Sequence, residues 1–261
     1  KEIRNSRKII IIESDFINLK KEIKLNNMKP LPLSKWIEKY LQRYPLSLYS
    51  EEFFNDIFLI DLNTYQLRLK RLSEFIISLV LLILTLPIVI IASIAIFLED
   101  KGPIFYSQDR TGYLNETIKI QKLRTLKIES EKEGPQWISK NDSRITKVGQ
   151  ILRKLRIDEL PQLISVLKGE MALIGPRPER PQIDKELEKK INHYRKRYYL
   201  KPGLSGWAQV NYPYGASVKD AEIKLSYDLY YLRNYSNFLD LLIFVKTIKM
   251  VLSGKGSIPI L

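Results

Sequence analysis

The chain has 261 residues, a formal net charge of +14, 45% hydrophobic residues, no cysteine and one histidine, His193. That length and apolar content suit one large domain with an appendage, while the charge, with a pI near 9.6, requires an anionic partner: lipid headgroups, phosphorylated substrates or nucleic acid. The missing cysteines exclude disulfides and thiolate nucleophiles, and a single histidine argues against multi-histidine metal centres.

The first residue is Lys1, not methionine, which fits a trimmed piece of a longer chain; the run Ile9-Ile10-Ile11-Ile12 is too short for a signal-peptide core. Residues 8–12 read as a short buried strand and residues 33–44 as an amphipathic helix. One strand and one or two helices make a poor independent core. Residues 1–67 are therefore expected to be an N-terminal segment, the remnant of an accessory domain, ahead of a main domain at 68–261.

Residues 75–98 carry no charge over 24 positions, about 36 Å as straight helix and enough for a bilayer core of about 30 Å. Pro87, near the middle, removes one backbone hydrogen bond and frees the carbonyl of Ile83, at a cost of about 3 kcal/mol. In lipid that break must be satisfied by a neighbour such as Thr85. Two geometries follow: a kinked span, or a helix-break-helix that enters and leaves on one face. Lys70 and Arg71 at one end and Glu99, Asp100 and Lys101 at the other leave the positive-inside count undecided.

Beyond this run, residues 104–108 and 117–123 form two β-type stretches joined through Gly112, a predicted hairpin. Residues 129–143 are polar, with Gly134-Pro135, and read as a loop. Residues 146–157 place Val148, Ile151, Leu152 and Leu155 on one face and Arg153, Lys154 and Arg156 on others, the pattern of a basic helix on an anionic membrane or, equally, of a core helix with a solvated side. Near the C-terminus, Tyr227, Tyr230, Tyr231 and Tyr235 and the apolar stretch 238–252 suit amphipathic helices in the headgroup zone. His193 lies in a charged run and is expected to face solvent or headgroups.

Between these elements stand the adjacent carboxylates Asp158 and Glu159, with Arg153, Arg156 and Arg177 nearby in sequence. One carboxylate can attack phosphorus or hold a cation, the other can complete a metal site, and guanidinium forks can grip phosphate oxygens. The plain alternative is that Asp158 caps a helix whose first turn holds Pro161, with Glu159 opposing the helix dipole. Any metal here is expected to be a hard cation, magnesium or manganese.

From about residue 70 onward the chain resembles the monotopic bacterial phosphoglycosyl transferases. The residues carrying the resemblance are Lys70-Arg71, Gln108-Asp109-Arg110-Thr111-Gly112, Lys122-Leu123-Arg124-Thr125, Leu155-Arg156-Ile157-Asp158-Glu159-Leu160-Pro161-Gln162-Leu163, Gly175-Pro176-Arg177-Pro178, Lys201-Pro202-Gly203 and Gly206-Trp207-Ala208-Gln209-Val210-Asn211. The resemblance implies transfer of a sugar phosphate from a UDP-sugar to polyprenyl (undecaprenyl) phosphate with release of UMP, the first step of exopolysaccharide, capsule or O-antigen synthesis. It makes Asp158 the covalent nucleophile, Glu159 a magnesium ligand and Arg177 a substrate-phosphate ligand. Arg153 and Arg124 are expected as further partners in the same anionic pocket.

The implied fold is a mainly helical α+β, monotopic membrane protein with a re-entrant helix-break-helix at Pro87, amphipathic surface helices and a small β-hairpin, on the cytoplasmic face of the bacterial plasma membrane among anionic lipids. Three departures stand out: Leu86-Pro87 replaces the family's usual Ser-Pro, Glu74 stands where Asp is usual, and residues 212–217 form a variant tail after Asn211. Residues 36–54 resemble the connector that precedes the catalytic part in longer members. Basic residues spread end to end without a reader motif argue against nucleic acid. A non-catalytic basic scaffold at the membrane surface is the alternative function, a homodimer is compatible with the chain, and no residue identifies the sugar.

Overall fold

The computed structural model describes residues 10–11, 31–56, 64–128, 130, 142–212, 215 and 217–254. Most of the expected strand at 8–12 and of the loop at 129–143 lies outside the described residues. The order is β1 (Ile10–Ile11), β2 (Leu31–Pro32), α1 (Leu33–Leu41), α2 (Glu51–Asp56), α3 (Thr64–Asp100), β3 (Phe105–Thr111), β4 (Thr117–Leu123), α4 (Lys147–Lys154), α5 (Leu163–Lys168), β5 (Ala172–Ile174), α6 (Pro181–Lys190), β6 (Gly203–Ser205), α7 (Trp207–Asn211), α8 (Val218–Arg233) and α9 (Asn237–Leu252). The fold is a mainly helical α+β arrangement. Among the described residues its strands form three two-stranded sheets: β1–β2 and β5–β6 parallel, β3–β4 antiparallel.

The predicted hairpin is present, with Phe105 opposite Leu123 and Thr111 opposite Thr117. It turns through Gly112 and a single 3-10 turn, Tyr113–Asn115.

The apolar run is part of α3, a helix of 37 residues and, among the described residues, the one helix long and apolar enough to cross a membrane. It is helical throughout, so Pro87 lies inside one helix and does not separate two. Nor does Thr85 serve the carbonyl that Pro87 frees: its hydroxyl donates to Leu81 O at 2.7 Å, the four-residue back-bond that a threonine makes within its own helix. A stripe at three- and four-residue spacing, including Glu74, Ser78, Ala92 and Ile96, is buried against the rest of the protein. Ile83, Leu84, Ile91 and Leu98 on the other faces are exposed.

Both ends of α3 are fastened to the same body. At the start, Arg71 donates to Val166 O and Leu167 O (2.6 and 2.8 Å), satisfying the last carbonyls of α5. Glu74 accepts from Leu173 N and Ile174 N (3.0 and 3.3 Å), and Lys70 donates to Ile174 O at 2.9 Å. The two side chains thus stand in for a strand along the edge of β5. Lys70 also pairs with Glu74 and Asp240 (2.9 and 2.7 Å). At the far end, Glu99 accepts from Lys147 N and Val148 N, opening α4, and Asp100 grips Arg124. Lys70 and Arg71 are therefore ligands of the protein's own backbone.

The main core is aromatic: Tyr44, Phe54, Tyr194, Tyr198, Trp207 and Tyr231 are all fully buried. Of the four tyrosines expected among headgroups, Tyr231 lies in this core and Tyr227, Tyr230 and Tyr235 pack partly buried against it. Core tyrosine hydroxyls find internal acceptors, as Tyr231 does on Asp240 and Tyr198 on Asp184, which lets so polar a set of rings fill a core. Residues of the N-terminal segment share this core: Tyr44 N donates to Ser226 O and Trp207 Nε1 to Gln42 O, both at 2.9 Å. His193 likewise packs inward, 4.7 Å from the Phe54 ring with Nε2 2.9 Å from Glu51. The expected solvent- or headgroup-facing histidine is not what the fold contains. Helix α9 keeps an exposed apolar edge at Phe238, Leu241 and Val245, and α4 keeps one at Ile151, with Leu155 just after it.

Candidate active site

Helix α4 begins on a Thr146 cap, whose side chain accepts from Gly149 N, and ends as the chain reverses at Arg156. Arg156 has φ 57°, a left-handed conformation that costs a non-glycine residue about 1–3 kcal/mol. The strain turns the chain directly into a 3-10 turn, Ile157–Gln162, which buries Asp158 and Glu159. Neither this turn nor α5 carries a side-chain cap, so the helix-cap role for Asp158 is not realised.

Glu159 is the electrostatic centre. Its Oε1 lies 2.6 Å from Arg177 and 3.1 Å from Lys122, and its Oε2 is 3.1 Å from Arg156. Burial alone would raise its pKa, but Arg177, Lys122 and Arg156 hold it well below the usual carboxylate range. Asp158, one residue earlier, accepts no hydrogen bond among the described residues. Burial and the charge of Glu159 push its pKa up to about 6, against the pull of Lys122, Arg153 and Arg156. Lys122 itself is driven down to about 8 by burial, with Glu159 opposing.

Three segments distant in sequence therefore converge: β4 supplies Lys122, the turn after α4 supplies the carboxylates and Arg156, and the loop after β5 supplies Arg177. That loop is reached through a close backbone approach of β5 and β6, where a Cβ on Gly203 would overlap the Gly175 amide. Arg153 stays at the edge, donating to Thr125 Oγ1 at 2.7 Å and within electrostatic reach of Asp158. Arg124 is not brought to the carboxylates: it donates to Pro103 O and to Asp100 at the end of α3.

Lys122 was not singled out as a site residue by its sequence, although a signal is present. Ile118, Ile120 and Lys122 alternate along β4, and a lysine in the third inward position of a half-buried strand needs a buried anion.

The bacterial sugar transferase family model matches residues 65–254. The chain belongs to that family. This bacterial sugar transferase is 41% identical over 189 residues to a UDP-N-acetylgalactosamine-undecaprenyl-phosphate N-acetylgalactosaminephosphotransferase of Aeromonas hydrophila, covering 72% of the chain and 45% of the relative. It is 36% identical over 199 residues to a UDP-glucose:undecaprenyl-phosphate glucose-1-phosphate transferase of Xanthomonas campestris pv. campestris, covering 75% and 41%. The chain thus spans less than half the length of these two relatives. A UDP-glucose:undecaprenyl-phosphate glucose-1-phosphate transferase of Caulobacter vibrioides is 36% identical over 186 residues, 70% of each chain. Residues 33–56 precede the family match, yet several of them are built into the core beneath the site.

Proposed function

We propose that this protein transfers a sugar phosphate from a UDP-sugar to polyprenyl phosphate through a covalent intermediate on Asp158. The observation that carries the reading is the division of labour in the carboxylate pair: Glu159 is neutralised by three cations, while Asp158 beside it accepts no hydrogen bond from any described residue. An unencumbered carboxylate oxygen attacks the sugar-bearing phosphorus of the donor. The bond to the bridging oxygen breaks, and UMP leaves with that oxygen. The acceptor phosphate then attacks the same phosphorus and frees the Asp158 carboxylate, leaving a polyprenyl diphosphate sugar.

Two anions meet in the first step, so cations must offset their repulsion. Arg177, half-exposed at the mouth of the pair, is placed to take a phosphate oxygen in exchange for Glu159, with Arg153 and Arg156 behind it. No group of three or more acidic or histidine ligands occurs among the described residues. The hard oxygen donors of Asp158 and Glu159 fit magnesium, which is commonly bound by one or two carboxylates with substrate phosphates and water. When bound there, the ion would neutralise the diphosphate and stabilise the departing UMP.

The exposed apolar faces of α3, α4 and α9 support attachment to a membrane. The binding of Lys70, Arg71 and Glu74 before the apolar run, and of Glu99 and Asp100 after it, to one body supports a reading in which α3 enters and leaves on a single face. That face is cytoplasmic, where a UDP-sugar and the phosphate of a polyprenyl acceptor meet. Purified protein supplied with magnesium, polyprenyl phosphate and UDP-N-acetylgalactosamine or UDP-glucose is expected to release UMP. Release of UDP would mean sugar transfer without phosphate, and no nucleotide from any donor would mean a non-catalytic role.

A further inference from the structure

The loop bearing Arg177 has no secondary structure of its own, and Pro176 and Pro178 deprive it of amide donors. Even so, four consecutive carbonyls are held from outside. Pro176 O accepts from Gly203 N at 2.8 Å, Arg177 O from Arg197 Nη2 at 3.0 Å, Pro178 O from Arg110 Nη1 at 3.0 Å and Glu179 O from Thr111 N at 2.9 Å. The donor on the Arg177 carbonyl is a guanidinium, and it is buried at 4% exposure.

Arg197 is held through both terminal nitrogens, although its buried Nε has no hydrogen-bond partner among the described residues. Its Nη2 lies 2.8 Å from Asp228 Oδ2, its Nη1 donates to Tyr194 OH at 2.7 Å, and the rings of Tyr194 and Tyr198 lie 5.2 and 5.5 Å from its centre. A buried ion pair is seldom the most stable filling for a core, since apolar side chains of similar volume often do as well or better. What apolar side chains cannot supply is a planar, fixed donor aimed at the Arg177 carbonyl. We propose that Arg197 is a positioning residue: by fixing the Arg177 peptide plane from within the core, it sets the root from which the Arg177 side chain reaches Glu159 and, in turn, substrate phosphate. The inference rests on the phosphate-binding role of Arg177 proposed above.

The test compares Arg197→Lys, Arg177→Lys and the double substitution in the full chain, following UMP release from a UDP-sugar. An ammonium cannot serve Asp228, Tyr194 and the carbonyl together, and a misplaced binding group costs up to about a hundredfold. Arg197→Lys is expected to lower kcat/KM about ten- to hundredfold with an unfolding temperature close to that of the wild type. In the Arg177→Lys background the same change should add less than about twofold, because the two act through one group. An equal fold-loss in both backgrounds would assign Arg197 a general structural role and overturn the proposal. Should Arg197→Lys not fold, Arg197→Met with Asp228→Leu removes both buried charges together and must show the same loss; wild-type turnover in that variant overturns it as well. Cleavage by glutamyl endopeptidase after Glu179 supplies a readout independent of the reaction: the released loop should be cut faster in either variant. If the wild type releases no UMP, the functional reading fails while this arm still decides the positioning, and equal cleavage rates refute it.

Discussion

Asp158 and Glu159 are neighbours with opposite electrostatics, because the cations are distributed unequally between them. Glu159 has Lys122, Arg156 and Arg177 in contact; Asp158 has burial and a negative neighbour. A carboxyl whose pKa rises from 3.8 to about 6 on folding binds more protons in the native state between those values, so its contribution to stability falls as pH rises through that window. Asp158→Asn should therefore abolish UMP release and also raise the unfolding midpoint at pH 7, by about 2–4 °C for each kcal/mol recovered. A variant that turns over normally would dismiss Asp158 as nucleophile. The pH profile of kcat/KM should be bell-shaped, with an acidic limb near 6 from Asp158 and an alkaline limb near 8 from Lys122. Lys122→Arg, which cannot deprotonate in this range, should shift the alkaline limb upward, and a limb left in place would assign it to another group. Arg177→Lys keeps the charge but loses the fork, so its turnover should fall by at least about tenfold, the value of roughly 1.4 kcal/mol of lost binding. Full activity with unchanged substrate affinity would make Arg177 structural.

Elements differ in how plainly the sequence declares them. The β3–β4 hairpin was readable because alternation and Gly112 act locally, and α4 because its Thr146 cap and apolar period coincide. The carboxylate pair was readable as acids beside Arg156 and Arg177, which the structure brings into contact with Glu159. Its third cation, Lys122, comes from a strand and meets Glu159 only through tertiary packing. Tyr231 of α8 misled for a similar reason: an amphipathic ring suits headgroups or a hydrogen-bonded core equally, and only a partner such as Asp240 decides between them. Lys70 and Arg71 resemble topogenic charges, yet their targets are the backbone of α5 and β5, nearly a hundred residues on. That reading has a measurable consequence. Lys70→Met would leave Glu74 and Asp240 buried without their cation, which should cost about 3–5 kcal/mol in denaturant unfolding. A change below about 1 kcal/mol, the usual worth of an exposed pair, would mean that the network is solvated.

At the scale of the whole molecule the question is what a long apolar helix does when both of its ends belong to one body. A spanning helix must deliver its flanks to opposite sides of a bilayer core about 30 Å thick. Here the residues before the apolar run bind β5 and α5, and those after it bind α4 and Arg124. Buried residues of α3 lie on both sides of Pro87, Ser78 before it and Ala92 and Ile96 after it, while most of residues 83–91 between them are exposed. Ile151 on α4 and Leu155 just after it, with Phe238 and Leu241 on α9, extend exposed apolar surface beyond the helix itself. Carrying β5 to the other side of the membrane would tear Glu74 and Lys70 from it, and the Arg177 loop begins immediately after β5. The fold therefore predicts one-sided attachment. The native chain has no cysteine, so single cysteines at the exposed positions Gln66 and Ser143 can be labelled in whole cells with a membrane-impermeant thiol reagent. Both should remain unlabelled until the cells are permeabilised, and then both should react. Labelling of Gln66 alone in intact cells would mean that α3 spans, and labelling of both would put the body on the outer face, away from the nucleotide-sugar donor proposed for it.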